Sequence, residues 1–274
     1  MRFAILGGDA RALWLLRLLR ADGHAVKHFA LERALPDGEA SPENALRGAE
    51  ALLLPIPAAR GGALNAPYSA MTHDPAALLS AAASGTPVFC GVPDAALRET
   101  CAARGLPLVD LTARESFALQ NAALTAEGAL SLLTEGPDAI RGRRVLVAGC
   151  GRVGRALVKR LAAMEAAVTL AARDPAQRDW AESLGCRTVT PEAAPGPGYA
   201  AVFNTVPAPL FGAAELAAFG PVPLIELAGA PGGFDRAAAA ALGNPVRVES
   251  GVPGRYAPLA AARIIRDEIM KEFC

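Results

Sequence analysis

Gly149-Cys150-Gly151-Arg152-Val153-Gly154 sets three glycines at the spacing G-x-G-x-x-G, directly after the apolar run Arg144-Val145-Leu146-Val147-Ala148. The chemistry this allows is anion binding by the backbone. The first glycine permits a tight turn, the second lets a pyrophosphate approach the chain, and the third lets the following helix pack on the sheet. The N–H groups and positive dipole end of that helix, expected over Arg155 to Glu165, then hold the pyrophosphate of a dinucleotide. Arg173 stands nineteen positions after Gly154, at the end of the next apolar run. An acidic residue there would bond the ribose 2′-hydroxyl of NAD, whereas an arginine pairs with a 2′-phosphate, so NADP is expected, with NAD as the alternative. Asp174 follows and also reads as a helix N-cap with Pro175 at the first position. Asn204-Thr205-Val206-Pro207 follows a later strand, where ligands sit in open α/β sheets, and is placed to line the nicotinamide. The same four residues fit an ordinary βα loop with Asn204 or Thr205 as its cap.

A second glycine turn, Gly7-Gly8-Asp9-Ala10-Arg11, also follows a strand and opens a helix, without the three-glycine spacing. A ligand carboxylate fits the N–H groups around Gly8 with Arg11 in support, while Asp9 reads equally as the N-cap.

The elements that position these residues alternate along the chain as short apolar runs and helical patterns, the signature of parallel sheets covered on both faces. Strands are expected at Phe3 to Leu6, Ala25 to Phe29, Ala51 to Pro55, Pro87 to Cys90 and Leu106 to Val109. A second set runs through Arg144 to Ala148, Ala167 to Ala172, Arg187 to Val189, Ala200 to Asn204, Leu224 to Leu227 and Val246 to Val248. The expected fold is therefore α/β with two doubly wound parallel-sheet domains, the second a Rossmann dinucleotide-binding domain. The domains are placed at 1–115 and 137–256, joined by a helix over 116–136 that Gly136 and Pro137 stop. A last helix over 257–274 is free to return to the first domain.

With 274 residues, 52% of them hydrophobic, the chain can fill two cores of ordinary size. Lys plus Arg and Asp plus Glu are both 27, which leaves no field to hold a nucleic acid. No apolar run approaches the ~20 residues that span a bilayer, and the first glycines come too early for a signal peptide, so a cytoplasmic protein is expected. Five cysteines without a C-x-x-C pair and three histidines supply neither a disulfide framework nor a metal site.

Taken in order, Gly7 to Arg11, Asn121-Ala122-Ala123-Leu124-Thr125-Ala126-Glu127-Gly128, the Gly149 turn, Asn204 to Pro207, Pro231-Gly232-Gly233-Phe234-Asp235 and Gly251-Val252-Pro253-Gly254 with Ala257-Pro258 resemble the A subunit of dipicolinate synthase. The blocks run from the first strand to the last helix. The resemblance implies an enzyme of spore-forming bacteria that oxidises dihydrodipicolinate to dipicolinate, passes the hydride to NADP, and works with a flavoprotein-like second subunit. A homo-oligomer is also expected. The chain departs from the family pattern at Ala230 and Leu259, where basic residues are usual, and Arg255 and Arg263 are the cations nearby.

A planar diacid needs two anion cradles. The first is expected at Gly8 with Arg11 and the second at Gly254 with Arg255, with the substrate between the domains. Glu127 or Asp9 is the expected proton acceptor, with Thr125 orienting it, although Glu127 also reads as a solvated helix residue. The alternatives are a dehydrogenase of another small hydroxy or amino acid, and a non-catalytic subunit that senses a dinucleotide.

Overall fold

The computed structural model describes residues 1–135 and 139–273, and the chain divides into two compact units, Met1–Asn121 with Ala257–Cys274, and Ala122–Tyr256. The first unit is built from β1 (Arg2–Leu6), α1 (Ala10–Ala21), β2 (Ala25–Phe29), α2 (Pro42–Leu46), β3 (Ala51–Leu53), a small hairpin of β4 (Ala59–Arg60) and β5 (Ala63–Leu64), α3 (Pro75–Leu78), β6 (Val88–Cys90), α4 (Ala95–Ala103), β7 (Leu108–Asp110) and the start of α5 (Glu115–Leu133). Its five-stranded parallel sheet has the order β2-β1-β3-β6-β7, in the register Arg2 opposite Ala25 through Leu6 opposite Phe29. Phe3 and Ile5 of β1 join Leu15, Leu16 and Leu19 of α1 in one core, and Ala4 and Leu6 join Leu52 and Leu79 in another. That alternation is the period of two of a strand covered on both faces.

The boundary between the units falls within α5, whose later residues Ala126, Ala129 and Leu133 belong to the core of the second unit. There follow β8 (Arg144–Ala148), α6 (Arg152–Ala163), β9 (Ala167–Ala171), α7 (Pro175–Glu182), β10 (Arg187–Val189), β11 (Ala201–Asn204), α8 (Ala213–Phe219), β12 (Leu224–Glu226), α9 (Arg236–Ala241), β13 (Arg247–Val248) and α10 (Val252–Tyr256). All six strands are parallel, in the order β10-β9-β8-β11-β12-β13. Val145 and Val147 of β8 face one core and Leu146 and Ala148 the other. Strand order reverses at β8, which opens a crevice at the carboxyl ends of β8 and β11. Finally α11 (Pro258–Met270) lies along α1 in the first unit, with Ala262, Ile265 and Ile269 in its core.

Both doubly wound parallel sheets expected from the sequence are present. The helix after the Gly149 turn starts at Arg152 rather than Arg155. Gly136 and Pro137, expected to stop the connecting helix, lie outside the described residues. Among the described residues no helix is long and apolar enough to cross a membrane, and no cluster of side chains is arranged for a metal ion. Cys90, Cys101, Cys150 and Cys186 are buried free thiols, and burial pushes Cys90 up to about 12.

Candidate functional site

In the second unit the Gly149 turn has the features that a pyrophosphate cradle requires. Gly149 has φ +97°, and a Cβ on it would lie 2.5 Å from Thr205 Oγ1. A Cβ on Gly154 would lie 2.1 Å from the Gly149 carbonyl oxygen, so only glycine lets α6 start this close to β8. Gly151 differs from both. It is the N-cap of α6, no side chain caps the helix, and a Cβ there would meet nothing within 4 Å. An uncapped helix N-terminus that opens on empty space is suited to an anion. Exposed Arg152 and half-buried Val153 form the first turn.

Arg173 is exposed just beyond β9, and its carbonyl accepts from Arg178 Nη1 at 2.7 Å. Asp174 takes the capping role expected of it, accepting from Ala176 N at 2.9 Å, and its carboxylate is thereby committed to α7. Thr205 Oγ1 donates to the Ala148 carbonyl at 2.8 Å, which fixes the Asn204–Pro207 loop against the end of β8. Val206 is half-buried there and Pro207 exposed.

Asn204 is fully buried at the end of β11 and stands in register with Glu226 at the end of β12. Its Nδ2 donates to Glu226 Oε1 at 2.6 Å and to the Val206 carbonyl at 2.8 Å, and its Oδ1 accepts from Val206 N at 3.1 Å. Glu226, only 1% exposed, also accepts from Ala228 N at 3.0 Å on Oε1 and from Gly233 N at 2.8 Å on Oε2. Gly232 and Gly233 let the loop close on this pair: a Cβ on Gly232 would come within 2.7 Å of Glu226 Oε2, and one on Gly233 within 2.5 Å of Asn204 Nδ2. Sequence reasoning passed over Glu226. The signal for it was Pro231-Gly232-Gly233, whose glycines imply a close approach to something.

The first unit arranges its glycine turn differently. Gly7 N donates to the Phe29 carbonyl at 2.9 Å and Gly8 N to the Asn65 carbonyl at 3.0 Å. The expectation that these N–H groups cradle a substrate carboxylate is therefore corrected: both are engaged within the fold. Asp9 is the N-cap of α1, accepting from Arg11 N at 3.0 Å, and it also holds the Arg11 guanidinium through Nε at 2.9 Å and Nη2 at 2.7 Å. Arg11, buried at 6% exposure, donates from Nη2 to the Ile56 carbonyl as well, and Nη1 takes no part in these bonds. Asp9 and Arg11 line a cavity of about 30 Å³ whose other walls include Leu15, Phe89 and Ile265. That is room for about one water-sized group and not for a ring.

Of the remaining expected residues, Thr125 is buried in α5, and Glu127 forms an ion pair with Arg160 at 2.8 Å on a half-exposed surface. The expected cradle at Gly254 and Arg255 is also corrected. Gly254 N donates to the Gly251 carbonyl at 3.0 Å, and Arg255 is paired with Glu249. Glu249 is paired with Arg247 too, which in turn holds Glu135 at 2.6 Å. Burial pushes the Glu249 carboxyl up, but the two arginines outweigh it and hold the group below the usual range.

A six-stranded parallel sheet with this order and a glycine turn at its reversal point defines a Rossmann-type fold. The transhydrogenase of Sinorhizobium meliloti shares it with a TM-score of 0.68 at 16% identity, over 99% of this chain and 92% of that one. Within this class the chain is similar over its whole length to the A subunit of dipicolinate synthase. Residues 2–112 match the family described as the N-terminal domain of the dipicolinate synthase A subunit. The dipicolinate synthase A subunit of Bacillus subtilis (strain 168) is 27% identical over 285 residues, covering 99% of this chain and 95% of that one. The crystal structure of the dipicolinate synthase A subunit from Bacillus halodurans superposes with a TM-score of 0.84 at 25% identity, over 100% of this chain and 97% of the other. The family resemblance read from the ordered motifs is thus borne out.

Proposed function

We propose that this chain oxidises dihydrodipicolinate to dipicolinate with a nicotinamide dinucleotide, NADP in preference to NAD, and that it does so alongside a flavoprotein-like second subunit. The observation that carries the reading is the open, uncapped turn at Gly151 on a sheet of dinucleotide-binding order, in a chain similar from end to end to the A subunit of dipicolinate synthase.

Removing one hydride and one proton from the dihydropyridine diacid leaves an aromatic ring, and a bound nicotinamide supplies the acceptor for the hydride. The residues of this chain do the rest. The first-turn N–H groups of α6, from Gly151 through Val153, hold the pyrophosphate, and Arg173 pairs with the 2′-phosphate. Asn204, Thr205, Val206 and Pro207 form the wall beside the nicotinamide. Asp9, whose carboxylate is oriented by its bonds to Arg11, is one candidate to take the proton. Glu127 with Thr125 is the second candidate for that role; like Asp9 it is paired with an arginine, Arg160.

The test is to supply dihydrodipicolinate, generated enzymatically, to the purified chain with NADP or NAD, with and without the flavoprotein-like partner. Formation of reduced dinucleotide in step with dipicolinate supports the reading; absence of both with the partner present rejects it.

A further inference from the structure

Three glutamates of the described chain are buried, and they are not alike. Glu249 has Arg247 and Arg255 beside it, and Glu268 has Lys271 at 2.6 Å and Arg114 at 3.7 Å. Among the described residues no lysine or arginine is paired with Glu226. Its oxygens accept only from neutral N–H groups, those of Asn204, Ala228 and Gly233. Both oxygens act as acceptors, the pattern of an ionised carboxylate. A buried charge without a counter-ion is costly to maintain, and this one stands at the carboxyl end of β12, in register with Asn204 and two strands from the Gly149 turn.

The oxidised nicotinamide ring carries a positive charge and the reduced ring none. We propose that Glu226 supplies the missing charge balance to the oxidised ring, so that this chain binds oxidised dinucleotide in preference to reduced and its cofactor is poised for dehydrogenation. This rests on the reading that a nicotinamide dinucleotide occupies the Gly149 site. Glu226 is here a positioning and electrostatic residue rather than one that touches the reacting atoms, since Asn204 and Gly232-Gly233 stand over it. Strands lie about 4.8 Å apart, and the loop that walls the ring follows the neighbouring strand β11, so the Glu226 charge is on the order of 10 Å from the ring. At that range, with an effective protein dielectric of about 20, a unit charge changes a binding constant by roughly ten-fold.

The experiment is equilibrium titration of the full chain with NADP+, NADPH, NAD+ and NADH, for the wild type, Glu226→Gln and Glu226→Asp, with circular dichroism to check folding. In Glu226→Gln the Kd of the oxidised form should rise roughly ten-fold relative to that of the reduced form, while Glu226→Asp, which keeps the charge, should hold the wild-type ratio within about two-fold. A structural role would weaken both forms equally, and equal weakening overturns the inference while leaving the proposed function intact. The Gln amide must present a donor where the carboxylate accepts, so Glu226→Gln can fail to fold. The wild-type ratio then decides: oxidised dinucleotide bound at least as tightly as reduced supports the inference, and reduced form bound roughly ten-fold tighter overturns it. If the wild type binds none of the four, the functional reading fails and the inference falls with it.

Discussion

The turns after β1 and β8 occupy the same place in their respective sheets, each following the strand at which strand order reverses and each opening a helix of 12 residues. They end differently. In the first, Asp9 caps α1 with its own carboxylate and Arg11 neutralises it, so the anion that a helix N-terminus favours is part of the chain. In the second, the cap is Gly151, which offers no side chain and leaves open space in front of the first turn. The same backbone device is closed in one unit and available in the other. Glycine content alone does not separate them; the residue at the N-cap does.

Converting the second turn into a copy of the first should have the largest effect. Gly151→Asp fits sterically, caps α6, and sets a carboxylate where the pyrophosphate would lie. Replacing charge-assisted hydrogen bonds with repulsion should weaken dinucleotide binding about a thousand-fold, or about 4 kcal/mol, with the fold kept or slightly stabilised. Fluorescence titration measures it, and unchanged affinity would show that the dinucleotide binds elsewhere. The reverse change, Asp9→Ala, removes the cap and leaves the buried Arg11 guanidinium without its carboxylate, which should destabilise the first unit by on the order of 3 kcal/mol. Urea unfolding followed by circular dichroism gives the value; a midpoint equal to wild type would mean that the Asp9–Arg11 pair contributes nothing to closing that turn. The smallest expected effect sharpens the second turn: Arg173→Asp should lower the preference for NADP over NAD by about ten-fold. An unaltered ratio of Kd values would assign the 2′-phosphate, if it is read at all, to another residue.

Much of this arrangement was legible beforehand. Ala25–Phe29, Arg144–Ala148 and Arg187–Val189 are strands over the residues that their apolar runs mark, the central β8 with four of its five residues buried and the edge strands β2 and β10 more exposed. The hairpin around Gly61-Gly62 and the one-turn helix Pro42–Leu46 were passed over, being too short to show a period. The glycine spacing at 149–154 marked a turn that leaves its helix N-terminus open, yet the identical reasoning at Gly7-Gly8 proposed a cradle that the fold has closed. What decided that case was the pairing of N–H groups with Phe29 and Asn65, residues far along the chain, which no local pattern reveals. Glu226 escaped for a related reason. At the end of Leu224-Ile225-Glu226 it reads as a polar residue closing a strand, and only the register with Asn204 and the return of Gly233 show it to be buried.

The first unit is discontinuous in sequence, since α11 completes the core that β1 and α1 begin. Leu15, Leu16 and Leu19 of α1 share that core with Ala262, Ile265 and Ile269, which leave the ribosome more than two hundred residues later. The second unit, by contrast, is an uninterrupted stretch from Ala122 to Tyr256. During synthesis the second unit therefore has its whole sequence available while the unit that precedes it still lacks a wall, so vectorial translation, which ordinarily favours the N-terminal domain, here favours the inserted one.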